Sequence, residues 1–326
     1  MDRRQLSAVS NQLTSRRFAF YILCIATILL TTSEMFRAQA PPARSFEVAN
    51  WNVRSGMGIA AATNSHINSD TTDCSLNASK PGGPFWPAMD TVRDDPAIVA
   101  LGVQEAWACA TPEKIREYLG WRHATPERNG TALVSRFGLK GPHVMQQIAF
   151  KKVDGASEDQ WVFGGDVCLD KDCSATERIY VAHFTAPDDI GFTAQARNTV
   201  TYVKSQPSAE RHIIMGDLNF FMANHTPVPC ASTSQTSPPA DVFAAAGYVD
   251  AWKLLKPAID GPTGMWNRHG CGNPDGGLFK RIDYIYSRGL VPTDVRLFAM
   301  ITPMVQDAPS DHAGIIATFG GRAQGR

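Results

Sequence analysis

No two cysteines of this 326-residue chain stand in a CxxC arrangement and no histidine pair has ligand spacing, so a zinc site has no support. Runs of like charge, internal repeats and long Gly/Ser linkers are also missing, which argues against a solenoid or a string of small modules. Excess charge of either sign is absent too. Lys+Arg and Asp+Glu number 31 each, and beyond residue 40 they stand at 26 against 29. Such a balance excludes the broad basic footprint of a tight, nonspecific nucleic-acid binder, while leaving room for a local patch that holds a phosphate backbone. The apolar run from Phe18 to Leu30 has thirteen residues, too few to span a bilayer comfortably.

What is present begins with an export pattern. Arg16 and Arg17 precede that apolar run, and Ala38, Gln39 and Ala40 supply the small residues of a cleavage point. Residues 1–40 therefore read as a signal peptide and 41–326 as one mature domain, secreted or periplasmic, with an uncleaved anchor as the alternative. Cys24 falls in the signal, and the other six cysteines form an even set of the kind disulfides use in exported chains. Cys168 and Cys173 are spaced to close a short surface loop. Pairing Cys74 with Cys109 and Cys230 with Cys271 rests on elimination alone, and other connectivities stay open.

Short polar islands are each placed where an apolar, strand-like run ends. Phe46 to Val53 alternates so that Phe46, Val48, Asn50 and Asn52 share a face, with Asn52 at the carboxyl end. The apolar run Ile98 to Val103 ends in Gln104 and Glu105. Thr111 and Pro112 supply a helix start. Further strands are expected at 131–134, 179–184 (carrying His183), 212–215 (delivering Asp217 and Asn219), 282–286 (carrying Asp283) and 314–319, just after Asp311 and His312. Helices are expected at 193–204 and 241–246, and the Ser/Thr/Pro-rich stretch 226–239 reads as an inserted loop. Strands interspersed with helices favour an α/β arrangement of two packed sheets covered by helices.

Each island alone has a bland explanation. Gly216-Asp217-Leu218-Asn219 suits a turn, Ser310-Asp311-His312 a helix cap, Glu105 a surface acid, and His183 a satisfied core residue. Asp283 is harder to dismiss, because a carboxylate between Ile282 and Tyr284 needs a partner, and His312 is the one expected. Together the acids, amides and imidazoles suit metal-assisted cleavage of a phosphate ester.

The combination of Asn50-Trp51-Asn52, Gln104-Glu105, His183, Gly216-Asp217-Leu218-Asn219, Arg281-Ile282-Asp283-Tyr284 and Ser310-Asp311-His312 resembles the endonuclease/exonuclease/phosphatase superfamily, over residues 46–319. Gly130 to Arg136 and Gly247 to Trp252 add to the likeness. The resemblance implies a four-layer α/β sandwich, two packed mixed β-sheets flanked by helices, with the site at one edge of the sheets. It implies a divalent metal, most often Mg²⁺, with Mn²⁺ or Ca²⁺ as alternatives. Glu105 would bind the metal, Asn52 would help hold it or a phosphate oxygen, and Asp311 would contact it or its water shell. Asp217 would orient and deprotonate the attacking water, with Asn219 beside it. His183 and His312 would stabilise the transition state or exchange protons, and Asp283 would fix the tautomer of His312.

An exported member of this superfamily is expected to be a metal-dependent phosphodiesterase, with an endonuclease acting on DNA preferred. The alternatives are a phosphatase or phospholipid phosphodiesterase of inositol phosphate or sphingomyelin type, and a non-catalytic binding module of the same fold. Arg122, Arg128, Arg136 and Arg178 would form a phosphate track if they shared a face, and Phe220 to Met222 would contact a base or lipid, or lie buried under the loop.

Overall fold

In the computed structural model the described residues are 45–54, 59–60, 85–153, 156–184, 189–207, 210–220, 238–258, 261, 263–264, 281–299 and 307–320. The expected signal, the insertion 226–237, Phe221, Met222, Cys74, Cys230 and Cys271 lie outside them. Among the described residues no helix is long and apolar enough to cross a membrane.

The strands are β1 (Phe46–Asn52), β2 (Ile59–Ala60), β3 (Ile98–Gln104), β4 (His123–Ala124), β5 (Ala132–Ser135), β6 (Val144–Val153), β7 (Ala156–Cys168), β8 (Thr176–His183), β9 (His212–Asp217), β10 (Val249–Asp250), β11 (Asp283–Arg288), β12 (Pro292–Phe298), β13 (Asp307–Ala308) and β14 (Gly314–Phe319). Two six-stranded sheets result, in the orders β12-β14-β1-β3-β5-β4 and β10-β11-β9-β8-β7-β6, with β13 and β2 pairing separately. Each large sheet is mixed. One parallel pair, β1 with β3 or β8 with β9, sits among antiparallel neighbours.

Alternation explains the layers. Val48, Ala100, Leu133, Ile315 and Ala317 from the first sheet pack against Ile179, Val181, Ile213, Met215 and Ile285 from the second. Their neighbours along each strand point outward. Ala49, Trp51, Leu101, Val103 and Val134 meet the helices α1 (Phe85–Asp94) and α2 (Pro112–Leu119). On the other side Tyr180, Ala182, Ile214, Tyr284 and Tyr286 meet α3 (Asp189–Ser205) and α4 (Pro238–Ala245). With both faces buried, strands read as unbroken apolar runs, and the expected sandwich of two sheets between helices is what forms. A short helix, α5 (Ala251–Leu255), follows β10.

Local chemistry sets the helix ends. Thr111 caps α2 by accepting from Lys114 N at 3.4 Å, Pro112 occupies the first turn, and Gly120 closes the helix at φ 66°. The expected helix at 241–246 starts earlier, because Pro238 and Pro239, read as loop, are tolerated in a first turn where no N–H partner is needed. Phe220 is buried against Tyr284, ring centroids 4.6 Å apart. The structure also contains α1, β12 and the long β6–β7 hairpin, none of them expected from the sequence.

Cys168 and Cys173 form the expected disulfide. Cys109 is disulfide-bonded as well, and the cysteines available to it lie outside the described residues.

Candidate active site

The inner faces of the two sheets carry the polar residues at one shared edge. On β1 the face that holds Val48 continues to Asn50 and Asn52, and on β9 the face of Ile213 and Met215 continues to Asp217. His183 ends β8 in parallel register with Asp217. Asp283 is the antiparallel partner of Asp217, so it opens β11 rather than closing a strand. Asp311 and His312 likewise precede β14, which runs antiparallel to β1. The expectation that an island ends its strand is thus corrected for Asp283. An antiparallel strand presents its beginning at the edge where its neighbours finish.

These residues are in contact. Asn52 Nδ2 donates to Glu105 Oε1 at 3.1 Å and to Asp217 Oδ2 at 3.0 Å, joining an acid of each sheet. Asn52 Oδ1 is taken by Arg54 N at 3.0 Å. Asn219 donates its backbone N–H to Asp217 Oδ1 at 3.0 Å, and its amide reaches Phe184 O at 2.8 Å and His183 Nε2 at 3.3 Å. The two imidazoles flank Asp217: His183 Nε2 is 3.6 Å and His312 Nε2 3.7 Å from Asp217 Oδ2. His312 Nδ1 lies 2.8 Å from Asp283 Oδ2, the pairing expected from the buried carboxylate.

Three of the seven described non-glycine residues with positive φ stand at this edge. Arg54, Glu105 and Asn219 have φ of 43°, 51° and 55°, each within two residues of the end of β1, β3 or β9. Left-handed backbone at a non-glycine residue costs on the order of 1 kcal/mol or more, and persists where the surroundings over-determine it. Gly130, at φ 69°, supplies one such constraint: a Cβ there would come within 2.7 Å of Glu105 Cα and 2.7 Å of Trp107 Cε3, and Ala106 N donates to its carbonyl at 2.9 Å. Gly130→Ala is therefore expected to displace Glu105, lowering stability by about 1–3 kcal/mol. Thermal melts check this, and a wild-type melting temperature would refute it.

Four residues to which the sequence pattern assigned no role complete the frame. Ser310 Oγ donates to Asn52 O at 2.7 Å and accepts from His312 N at 3.2 Å, locking the turn of Asp311 and His312 to the end of β1. Thr263 Oγ1 accepts from Ile282 N and Asp283 N, both at 3.1 Å, and Thr263 O accepts from Ala313 N at 2.7 Å. Arg54, almost fully buried, brings its guanidinium within 3.9 Å of Asp311 Oδ2. Arg281 holds the approach to β11 from behind: both Asp250 oxygens accept from its Nη1, at 3.0 and 2.8 Å.

Burial and charge set the protonation. Burial pushes the Asp217 carboxyl up to about 6, Asp283 adds to this, and His312 and His183 oppose it. A base in that range suits work near neutrality. Burial disfavours charge on His312, but Asp283, Asp217 and Asp311 outweigh it and hold the imidazole well above its usual range. Glu105 is raised by burial first and then by the charge of Asp311.

Two donor sets offer themselves to a cation. Asp217, Asp283 and His312 have donor atoms within 4.8 Å of one another. In that set, however, His312 Nδ1 and Asp283 Oδ2 already satisfy each other. The facing carboxylates Glu105 and Asp311 fit a hard divalent ion better, because it favours oxygen ligands and relieves the repulsion that raises Glu105. Asn52 here orients acids by donating from its amide, with its oxygen engaged by Arg54 N. Arg136 and Arg178 take no part. Arg136 donates to the carbonyls of Val92, Asp95 and Ile98, and Arg178 pairs with Asp166 at the start of β8, so the four-arginine track does not form.

A profile of the Endonuclease/Exonuclease/phosphatase family matches residues 49–312, a span that contains every residue of this cluster. The chain belongs to that family. Endonuclease/exonuclease/phosphatase proteins also share its fold: one from Bacteroides vulgatus aligns at TM-score 0.59 and 14% identity, covering 86% of this chain and 100% of that one. A mannosyl-6-phosphatase from Bacteroides thetaiotaomicron aligns at 0.54 and 14% identity over 83% of this chain and 98% of its own. D. rerio TDP2 complexed with single strand DNA product aligns at 0.52 and 14% identity over 84% and 98%. At these identities the likeness is one of fold. No curated protein matches the chain significantly in sequence. Members of the endonuclease/exonuclease/phosphatase family are phosphoesterase hydrolases.

Proposed function

We propose that the chain is an exported, divalent-metal-dependent phosphodiesterase that cleaves nucleic acid, with DNA as its substrate. The observation that carries this is the bridge Asp217–His312–Asp283 facing Asn219 and Asn52, which sets a base, a charged imidazole and two amides around one point. Asp217 takes the proton of a water that the Asn219 amide helps to place. His312, held charged by Asp283, faces the phosphoryl oxygens and donates to the leaving oxygen, and His183 stabilises the negative charge that builds up. Glu105 and Asp311 would hold a divalent ion, which would supply charge neutralisation and polarisation at the phosphoryl group.

TDP2 bound to a DNA product supports nucleic acid as the substrate. The disulfide at Cys168–Cys173 supports an oxidising compartment, as the Arg16–Ala40 pattern does. The mannosyl-6-phosphatase of the same fold supports a second reading, hydrolysis of small phosphoesters. A non-catalytic module would have no use for so complete a cluster.

Full-length chain is to be expressed with its leader and recovered from the exported fraction. Its intact mass is expected to place the first residue near Pro41. The protein is expected to nick supercoiled plasmid with Mg²⁺ and to stop in chelator. No nicking by folded, disulfide-intact protein, with turnover of sugar or inositol phosphates, would reverse the substrate assignment. Retention of the leader or of the protein in the cytoplasm would overturn export.

A further inference from the structure

Strand β7 is longer than the strand it pairs with. Val162 is the partner of Ala182, which leaves Trp161 level with His183 and carries the stretch back to Ala156 beyond the end of β8. Because β7 runs antiparallel to β8, that overhang lies on the site's side of the sheet. At about 3.3 Å per residue the five steps from Trp161 to Ala156 project roughly 16 Å past His183. Strand β6 follows it outward, Gln147 opposite Trp161 and Val153 opposite Ala156, so the projection is a paired wall.

Alternation decides which way Trp161 points. Val162 and Ala182 both belong to the outer cluster with α3, while Val181 packs between the sheets. Trp161 therefore stands on the inner face, the face of His183, one strand over, at the separation of about 5 Å typical of cross-strand neighbours. The indole is only partly buried. A tryptophan that filled the core would be covered like Trp51, whereas this one keeps part of its surface open beside a catalytic imidazole.

We infer that Trp161 is a substrate-contacting residue that stacks on the base of a nucleotide adjacent to the scissile phosphate, so that the site selects nucleotides whose base faces are exposed. This rests on the nucleic-acid reading given above. An indole face is neutral and planar and matches any base, which gives affinity without sequence preference. Bases inside a duplex have both faces occupied by their neighbours, so single strands and unpaired nucleotides gain from the contact and duplex interiors do not.

The test compares wild type, Trp161→Ala and Trp161→Phe in Mg²⁺ on two single-stranded substrates, an oligothymidylate and the same backbone with tetrahydrofuran abasic units throughout. Trp161→Ala is expected to raise KM on the oligothymidylate about 5- to 100-fold, the loss of one base stack. It should leave KM and kcat on the abasic backbone within about twofold, and Trp161→Phe should recover most of the loss. Equal impairment on both substrates would assign Trp161 to packing around His183 and overturn the proposal, as would an unchanged KM on oligothymidylate. Wild type that cleaves the oligothymidylate while Trp161→Ala matches it refutes the stacking role alone. Wild type that cleaves neither substrate refutes the nucleic-acid reading and the stacking role together.

Discussion

Asp217→Asn is expected to lower kcat on plasmid DNA by about 10²- to 10⁴-fold, the contribution of a positioned general base. The substitution keeps the volume and an acceptor oxygen for Asn219 N, and removes the ability to take a proton. It also has a signature in stability. In the folded chain burial raises this carboxyl from 3.8 to about 6, so between those values the folded state retains a proton that the unfolded chain has released. Stability of the metal-free protein therefore falls as pH rises through that window, and stays lower above it. Asparagine has no such slope. Denaturant unfolding in chelator should show the difference between variant and wild type moving in the variant's favour from pH 4 to pH 7, by about 1–3 kcal/mol. Near-normal turnover in the variant would remove Asp217 from the mechanism, and a pH-independent difference would remove the burial argument.

His312→Ala and Asp283→Asn are each expected to cost about 10²- to 10⁴-fold in kcat, because the carboxylate fixes the ring and sustains its charge. The two act as one unit, so the double variant should lose little more than the worse single one. Steady-state kinetics on the four proteins closes the cycle, and additive losses would show that Asp283 acts independently of the ring. Asp283 is fully buried with Thr263 Oγ1 accepting from its backbone N–H, so the asparagine variant is chosen to keep the site filled.

Much of this arrangement is legible in the chain. Apolar runs at β3, β8, β9 and β14 and the alternation of β1 mark the strands, and a buried acid such as Asp283 in an apolar run demands a partner. The pairing of Asp283 with His312 follows from the cost of leaving that acid alone. The β6–β7 hairpin escapes this reasoning, since β6 is an edge strand whose Gln146, Gln147, Lys151 and Lys152 dilute the apolar pattern. Helix α4 begins ahead of its apolar pattern because Pro238 and Pro239, loop-like in sequence, suit a first helical turn.

The sequence by itself determined the strand runs, the inventory of acids, amides and imidazoles, the Cys168–Cys173 closure and the family. Only the tertiary structure decided which end of each strand faces the site, because direction within a sheet depends on pairing across residues far apart in the chain. Asp283 meets Asp217 over 66 positions, Ser310 ties to Asn52 over 258, and Trp161 comes level with His183 through a register that no local pattern encodes. The same holds for the arginines. Side-chain type made Arg136 and Arg178 candidates for phosphate, and carbonyl and carboxylate partners away from the site took them up. Composition supplies the groups, and the packing of two twisted sheets face to face fixes which of them share an edge.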